Sequence, residues 1–279
     1  MSPITSIQNP RVKNAVRLRD RRHREKQGRI LIDGSRELLR AIDAGVKLLE
    51  TFVCRPLREN EDSQRLLAAL PRSGGEVLEV SEAVFEKLAF GRRTEGVLGV
   101  AETPRNTLDS LSLRWGGSST AAPTFPLVAV LEGVEKPGNV GAVLRSADAA
   151  GVSALITADP RTDLYNPNAI RASLGTIFTM PVCEATSDDA LAWLRKNGFR
   201  IFAARVDSAV DYTEEDYRGP TAIVLGSEAE GLSSLWTGDD VRAVRLPMLG
   251  AADSLNVSAA AAVLFYEALR QRKGLGIGD

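Results

Sequence analysis

Three segments in the second half of this 279-residue chain place glycine beside amide, hydroxyl, carboxylate and guanidinium side chains, each after an apolar run. The first is Glu135-Lys136-Pro137-Gly138-Asn139-Val140-Gly141, with Arg145 behind it. The second is Leu225-Gly226-Ser227-Glu228-Ala229-Glu230-Gly231-Leu232-Ser233. The third is Leu246-Pro247-Met248-Leu249-Gly250, running on to Ser254-Leu255-Asn256-Val257-Ser258. Glycine at a strand end lets a ligand approach the main chain closely, so three such loops from one domain predict a shared, backbone-lined pocket. The sole histidine, His23, lies far from them, which argues against a Ser-His-Asp triad and a histidine zinc cage. Cys54 and Cys183 lack metal-ligand spacing and read as reduced, buried thiols, and no metal is expected.

Within the loops each polar residue has a structural and a chemical reading. Val140, Val143, Leu144 and Ala147 form one helical face, and at about 100° per residue Arg145 points away from it. Asn139 is then either an N-cap or, with Arg145, a donor to a substrate phosphate or ribose. The Gly-x-x-Gly spacing does not meet the dinucleotide fingerprint. Ser227-x-x-Glu230 fits a capping box, whereas Gly226 suits close backbone contact with a ligand. Ser254 fits the N-cap of the last helix; Asn256, one turn inside it, is unfavourable for a helix and predicts a specific hydrogen bond.

These loops need a frame. Strands are expected at 127–131, 154–157, 200–204, 221–225 and 241–246, alternating with helices near 140–150, 188–197 and 256–272. This is the pattern of an α/β domain with a largely parallel sheet covered on both faces. The last helix is apolar nearly all round through 259–265 and belongs in a core or a subunit interface. Upstream, residues 1–103 alternate strand and helix as a smaller α/β domain, with strands at 29–32, 48–54, 76–80 and 96–101 and helices at 35–44, 63–70 and 81–88. Residues 104–126, rich in Gly, Ser and Pro and carrying Trp115, read as a linker, and 127–279 as the second domain.

The net charge is −1, which by itself decides nothing about a nucleic-acid partner, but residues 1–30 hold nine Lys and Arg against Asp20 and Glu25. Such a cluster is either a solvated helix or, through counterion release, a phosphate-binding surface. Arg11, Lys13, Arg17, Arg21, Arg22 and Arg24 are its candidate nucleic-acid contacts. No segment approaches the ~20 apolar residues a bilayer span needs, and no apolar signal core begins the chain, which points to a cytoplasmic protein without a membrane partner.

At the three loops the chain resembles the SpoU (TrmH-type) branch of the SPOUT RNA methyltransferases. Gly138-Asn139-Val140-Gly141-Ala142-Val143-Leu144-Arg145-Ser146-Ala147 looks like the first family motif, residues 225–233 like the second, and Leu246-Pro247-Met248 with 254–258 like the third. Arg171-x-Ser173-x-Gly175 matches a further family feature. Residues 1–103, through Ile4-Thr5-Ser6-x-x-Asn9-Pro10 and Gly34, are similar to the ribosomal-protein-like RNA-binding extension of many members. The resemblance implies S-adenosylmethionine-dependent methylation of a ribose 2′-hydroxyl in ribosomal RNA, a homodimer, and a trefoil knot that holds the cofactor. It implies catalytic roles for Asn139, Arg145, Glu230, Ser254 and Asn256, and cofactor contacts at Gly226, Leu246 and Leu255. Transfer-RNA methylation, an antibiotic-resistance methylation, a phosphate-binding α/β protein and a non-catalytic RNA-binding protein are the alternatives.

Overall fold

A computed structural model describes residues 2–55, 61–89, 95–111, 113 and 125–273. Trp115 and the Gly/Ser-rich stretch around it lie outside the described residues. The chain divides into two compact units. The first comprises Met1–Arg105 with Tyr165–Thr179; the second comprises Asn106–Leu164 with Met180–Asp279. Tyr165–Thr179 thus belongs with the amino-terminal unit, although it leaves from and returns to the sheet of the second.

In the first unit the order is α1 (Pro10–Arg17), α2 (Arg21–Gln27), β1 (Arg29–Asp33), α3 (Ser35–Asp43), β2 (Leu48–Val53), α4 (Glu61–Ala69), β3 (Glu76–Glu79), α5 (Glu82–Leu88) and β4 (Val97–Glu102). The helix starts follow capping chemistry. Asn9 caps α1 ahead of Pro10, Asp20 caps α2 and Ser81 caps α5, each side chain accepting a free backbone N–H. Gly28, with φ of 61°, ends α2 in the left-handed conformation that glycine adopts without a Cβ penalty. The sheet runs β1-β4-β2-β3, antiparallel except for β2 beside β3. Val12, Ala15 and Leu18 pack with Phe52, Phe85 and Val100 to form its core.

The excursion carries the helices α7 (Pro167–Ala172) and α8 (Thr176–Thr179) of this unit. Between them Leu174 has φ of 54° and Gly175 φ of 84°, a tight turn held by Ser173 and by Arg40 Nη1, which donates to the Leu174 carbonyl at 2.6 Å. Residues 167–179 were not expected as helices; short runs like these carry little periodicity.

The second unit contains β5 (Leu127–Glu132), α6 (Pro137–Ala149), β6 (Ala154–Ala158), β7 (Val182–Ala185), α9 (Ser187–Lys196), β8 (Arg200–Ala204), β9 (Thr221–Leu225), β10 (Val241–Val244) and α10 (Val257–Lys273). All six strands are parallel, in the order β10-β8-β9-β5-β6-β7. Every residue of β5 and β9 is buried, as central strands covered on two faces require. Val128, Val130, Ile156 and Val224 meet Leu194 of α9 and the fully buried Trp236 on one face. Leu144 of α6 and Leu264 and Phe265 of α10 are buried as well. Residues 106–111 and 113, expected within the linker, pack on this unit: Leu111 joins its core and Asn106 donates to the Val182 carbonyl at 3.0 Å.

Arg272 closes the far end of α10. It donates to the carbonyls of Tyr217, Phe125 and Gly219 at 2.7–2.9 Å, and burial lowers its pKa to about 10, which leaves it charged at neutral pH. Both cysteines are free and buried, and burial pushes the Cys183 thiol up to about 12, which makes it unreactive.

Candidate active site

Because the strands are parallel, β8, β9 and β10 deliver their loops to one edge of the sheet, where open α/β sheets bind ligands. A cavity of about 460 Å³ lies there. Its apolar wall includes Leu225, Leu246, Met248, Leu255 and Leu264; its polar groups include Asp207, Glu228, Asp253 and Ser254. Gly226, Leu246 and Leu255, singled out from the sequence, all line it.

Gly226 is a glycine for a reason other than ligand approach. A Cβ built on it would stand 2.1 Å from the carbonyl carbon of Gly231, so the close contact is with its own loop. The loop doubles back: Ser227 and Gly231 exchange backbone hydrogen bonds at 3.2 and 3.0 Å. The Glu230 N–H donates to Ser227 Oγ at 3.1 Å, half of the expected capping box, but no helix follows directly.

The α6 helix begins at Pro137 with Lys136 as N-cap, so Asn139 is its third residue and not its cap. Released from capping, the Asn139 amide donates to the Glu228 carboxylate, and its Oδ1 accepts from Asn256 Nδ2 at 3.4 Å. Asn256 is itself the cap of α10 and not a residue one turn inside: Oδ1 accepts from the Ser258 N–H at 2.9 Å and from Ser258 Oγ at 2.6 Å. Ser254 is therefore two residues short of the helix and free of that duty. It is exposed on the cavity wall, with no hydrogen-bond partner among the described residues. Arg145 is exposed and likewise without a partner among the described residues.

Glu230 also lines the cavity, with a different partner. Its carboxylate pairs with Arg161, which also donates to Glu135 at 2.6 Å, and these hydrogen bonds raise the arginine's pKa. Glu228, on the same cavity wall, is the carboxylate that Asn139 reaches. Its position at the tip of a glycine-flanked turn was the available signal, whereas Glu230 is the carboxylate the family resemblance singles out. Arg171 and Ser173 fall in the first unit, where Ser173 is fully buried.

The basic run divides in two. Arg24 does not belong to an RNA surface: it is buried, and its Nη1 donates to the carbonyls of Leu18 and Arg19 at 2.7 Å, satisfying the end of α1. Arg19 does the same for α5 through the Lys87, Leu88 and Ala89 carbonyls. Arg11 pairs with Glu76 and Arg21 with Glu25, each at 2.7 Å on the surface. Lys13, Arg17 and Arg22 are exposed with no partner among the described residues.

Residues 126–266 match the SpoU rRNA Methylase family, and residues 9–99 match the MRM3-like substrate binding domain. The 23S rRNA (uridine(2479)-2′-O)-methyltransferase of Streptomyces viridochromogenes is 30% identical over 91% of this chain and 87% of its own length. The crystal structure of an RNA 2′-O ribose methyltransferase superposes with a TM-score of 0.83 at 41% identity, covering 98% of this chain and all of that one. An AdoMet-bound rRNA methyltransferase from Sinorhizobium meliloti superposes equally well, with a TM-score of 0.83 at 29% identity over 96% of this chain and 97% of that one.

Proposed function

The chain belongs to the SpoU rRNA methylase family, and from that membership we propose the following division of labour among its residues. The protein is an RNA 2′-O-ribose methyltransferase that uses S-adenosylmethionine and acts on ribosomal RNA. The observation that carries the reading is the chain of side chains from Asn139 through Glu228 to the wall of the 460 Å³ cavity, with Arg145, unpartnered among the described residues, on the same helix as Asn139.

The cavity fits the cofactor's chemistry: apolar walls for the adenine and the methionine stem, and main chain for the polar edges. Gly226, Leu246 and Leu255 would hold it. When bound, S-adenosylmethionine supplies an electrophilic methyl group on sulfur. Arg145 holds the phosphate beside the target ribose and favours negative charge on the 2′-oxygen, which is electrostatic help in place of ordinary base catalysis. Asn139, Glu228 and Asn256 fix one another's orientation at the mouth, and Ser254 offers a hydroxyl for the ribose. Glu230, tied to Arg161, braces the loop where it lines the cavity.

The remaining parts follow the same reading. Lys13, Arg17 and Arg22 hold RNA phosphates, so residues 1–103 form the substrate domain and residues 127–279, apart from the excursion, the catalytic one. After β10 the chain returns through the largely exposed loop 247–256 to α10, which packs on α6; in the proposed fold this return threads behind the β9 loop as a trefoil knot. Val263 and Tyr266, exposed on α10, and Leu249, 99% exposed, form the apolar surface of a homodimer. Among the described residues no helix is long and apolar enough to cross a membrane, in keeping with a cytoplasmic enzyme.

Calorimetry with S-adenosylmethionine and methyl transfer to ribosomal RNA test the reading. Binding without transfer identifies a non-catalytic RNA-binding protein; no binding at all leaves a phosphate-binding α/β protein.

A further inference from the structure

Glu132, the last residue of β5, is a buried carboxylate with an unusual set of partners. Only 7% of it is exposed. Its Oε1 accepts from Ser187 Oγ, Ser233 Oγ and Trp236 Nε1, each at 2.8 Å, and its Oε2 accepts from the Ser233 N–H at 2.7 Å. No cation pairs with it among the described residues, so four neutral donors hold a buried charge. A carboxylate without a counter-ion is costly to bury, and an apolar residue would serve simple packing better. What the charge supplies is a strong acceptor at one point, and three of the four bonds go to Ser233 and Trp236.

Those two residues follow the β9 loop directly. At its start, the position a Cβ of Gly133 would occupy lies 3.8 Å from Ser227 Cβ; at its finish, Ser233 is held by Glu132. Both legs of the loop therefore rest on the end of β5. Between them residues 228–231 are exposed, with the Ser227–Gly231 backbone pair as the internal brace. This stretch is the part of the cavity wall that carries Glu228, and with it the hydrogen bond to Asn139.

We propose that Glu132 is a positioning residue for the methyl transfer: it latches the return leg of the β9 loop, so that the cofactor wall and Glu228 are in place before ligand arrives. The proposal deepens the functional reading and rests on it, because it takes the cavity to be the S-adenosylmethionine site. Glu132→Gln keeps the shape but turns an amide N–H toward at least one donor, most directly the Ser233 N–H. Trp236→Phe keeps the packing and removes one bond to the loop's exit. Ser187→Ala removes a bond to the same oxygen from α9 and leaves the loop's own bonds intact.

The experiment uses the full chain, with S-adenosylmethionine titrated calorimetrically well below each variant's melting temperature and backbone hydrogen exchange followed in parallel. Glu132→Gln is expected to weaken binding about tenfold and Trp236→Phe about threefold, while Ser187→Ala stays within about twofold of wild type. Exchange should quicken across residues 227–233 in the first two variants and stay unchanged in α10. Lower melting temperatures with wild-type affinity and wild-type exchange in that loop would overturn the latch; if Glu132→Gln does not fold, Trp236→Phe decides by the same readouts. Wild-type protein that fails to bind S-adenosylmethionine overturns the functional reading, whereas the exchange pattern still tells whether Glu132 holds the loop.

Discussion

The basic first thirty residues and the strand-end loops of the second unit make opposite use of their polar side chains. In the basic run several cations are already committed: Arg24 and Arg19 close the ends of α1 and α5, and Arg11 and Arg21 sit in ion pairs. In the loops Arg145 and Ser254 have no partner among the described residues, Asn139 and Glu228 bond to each other, and Asn256 divides its bonds between Asn139 and the Ser258 cap. Satisfied donors hold a fold; unsatisfied ones are available to a ligand. Counting charges therefore overstates the first region, and the capacity to bind is read from what each side chain still has to offer.

The sharpest break of this contrast is at Arg145. Arg145→Ala should lower methyl transfer about 10³-fold while the calorimetric affinity for S-adenosylmethionine stays unchanged; near-normal turnover would move Arg145 into the surface class. Next comes Gly226→Ala, where the new methyl meets the Gly231 backbone. It should cost about 3 kcal/mol in denaturant unfolding and abolish cofactor binding with it. Arg24→Ala should cost about 2 kcal/mol of stability, because two helix-end carbonyls lose their donor. RNA affinity of the folded protein should not change, and a loss there would return Arg24 to the RNA surface.

A triple replacement of Lys13, Arg17 and Arg22 by alanine should do the reverse, with unchanged melting and RNA binding about tenfold weaker. Its plot of log affinity against log salt should be shallower by about 2. The smallest effect is in acid. Arg270, with Gln271, hydrogen-bonds Glu267 and holds its carboxyl below the usual range. The folded pKa lies below the unfolded one, so this contribution is complete above about pH 4.3 and fades as pH falls through the folded value. Glu267→Gln should flatten that acid limb in thermal melts from pH 5 to 3.

Much of this arrangement was legible before the structure. The strands at 200–204 and 221–225 and the start of β6 fall where apolar runs meet glycine and proline, since local chemistry ends a strand. The short edge strand β7 was missed; four residues with an exposed Glu184 carry no periodic signal. Asn256 and Glu228 show a different limit. Capping and loop tips turn on a one- or two-residue shift, and Ser227-x-x-Glu230 satisfies a helix-start pattern where the chain makes a turn. The burial of Arg24 had no local sign at all, for the carbonyls it serves are set by where α1 ends relative to α2. Nor could spacing show that 165–179 belongs to the first unit, because a short apolar run does not say whose core it covers.

That last placement has a consequence for how the chain is made. Domains generally fold in the order in which they leave the ribosome, the amino-terminal one first. Here the first unit is not whole at Arg105; it also needs α7 and α8, which end at Thr179. At roughly 5–20 residues per second, translation needs about 4–15 s to supply them. Throughout that interval the nascent first unit lacks two of its helices, and completing it coincides with synthesis of β5 and β6 of the second. The two units are thus interleaved in time as well as in sequence, and a chain cut between them separates neither cleanly.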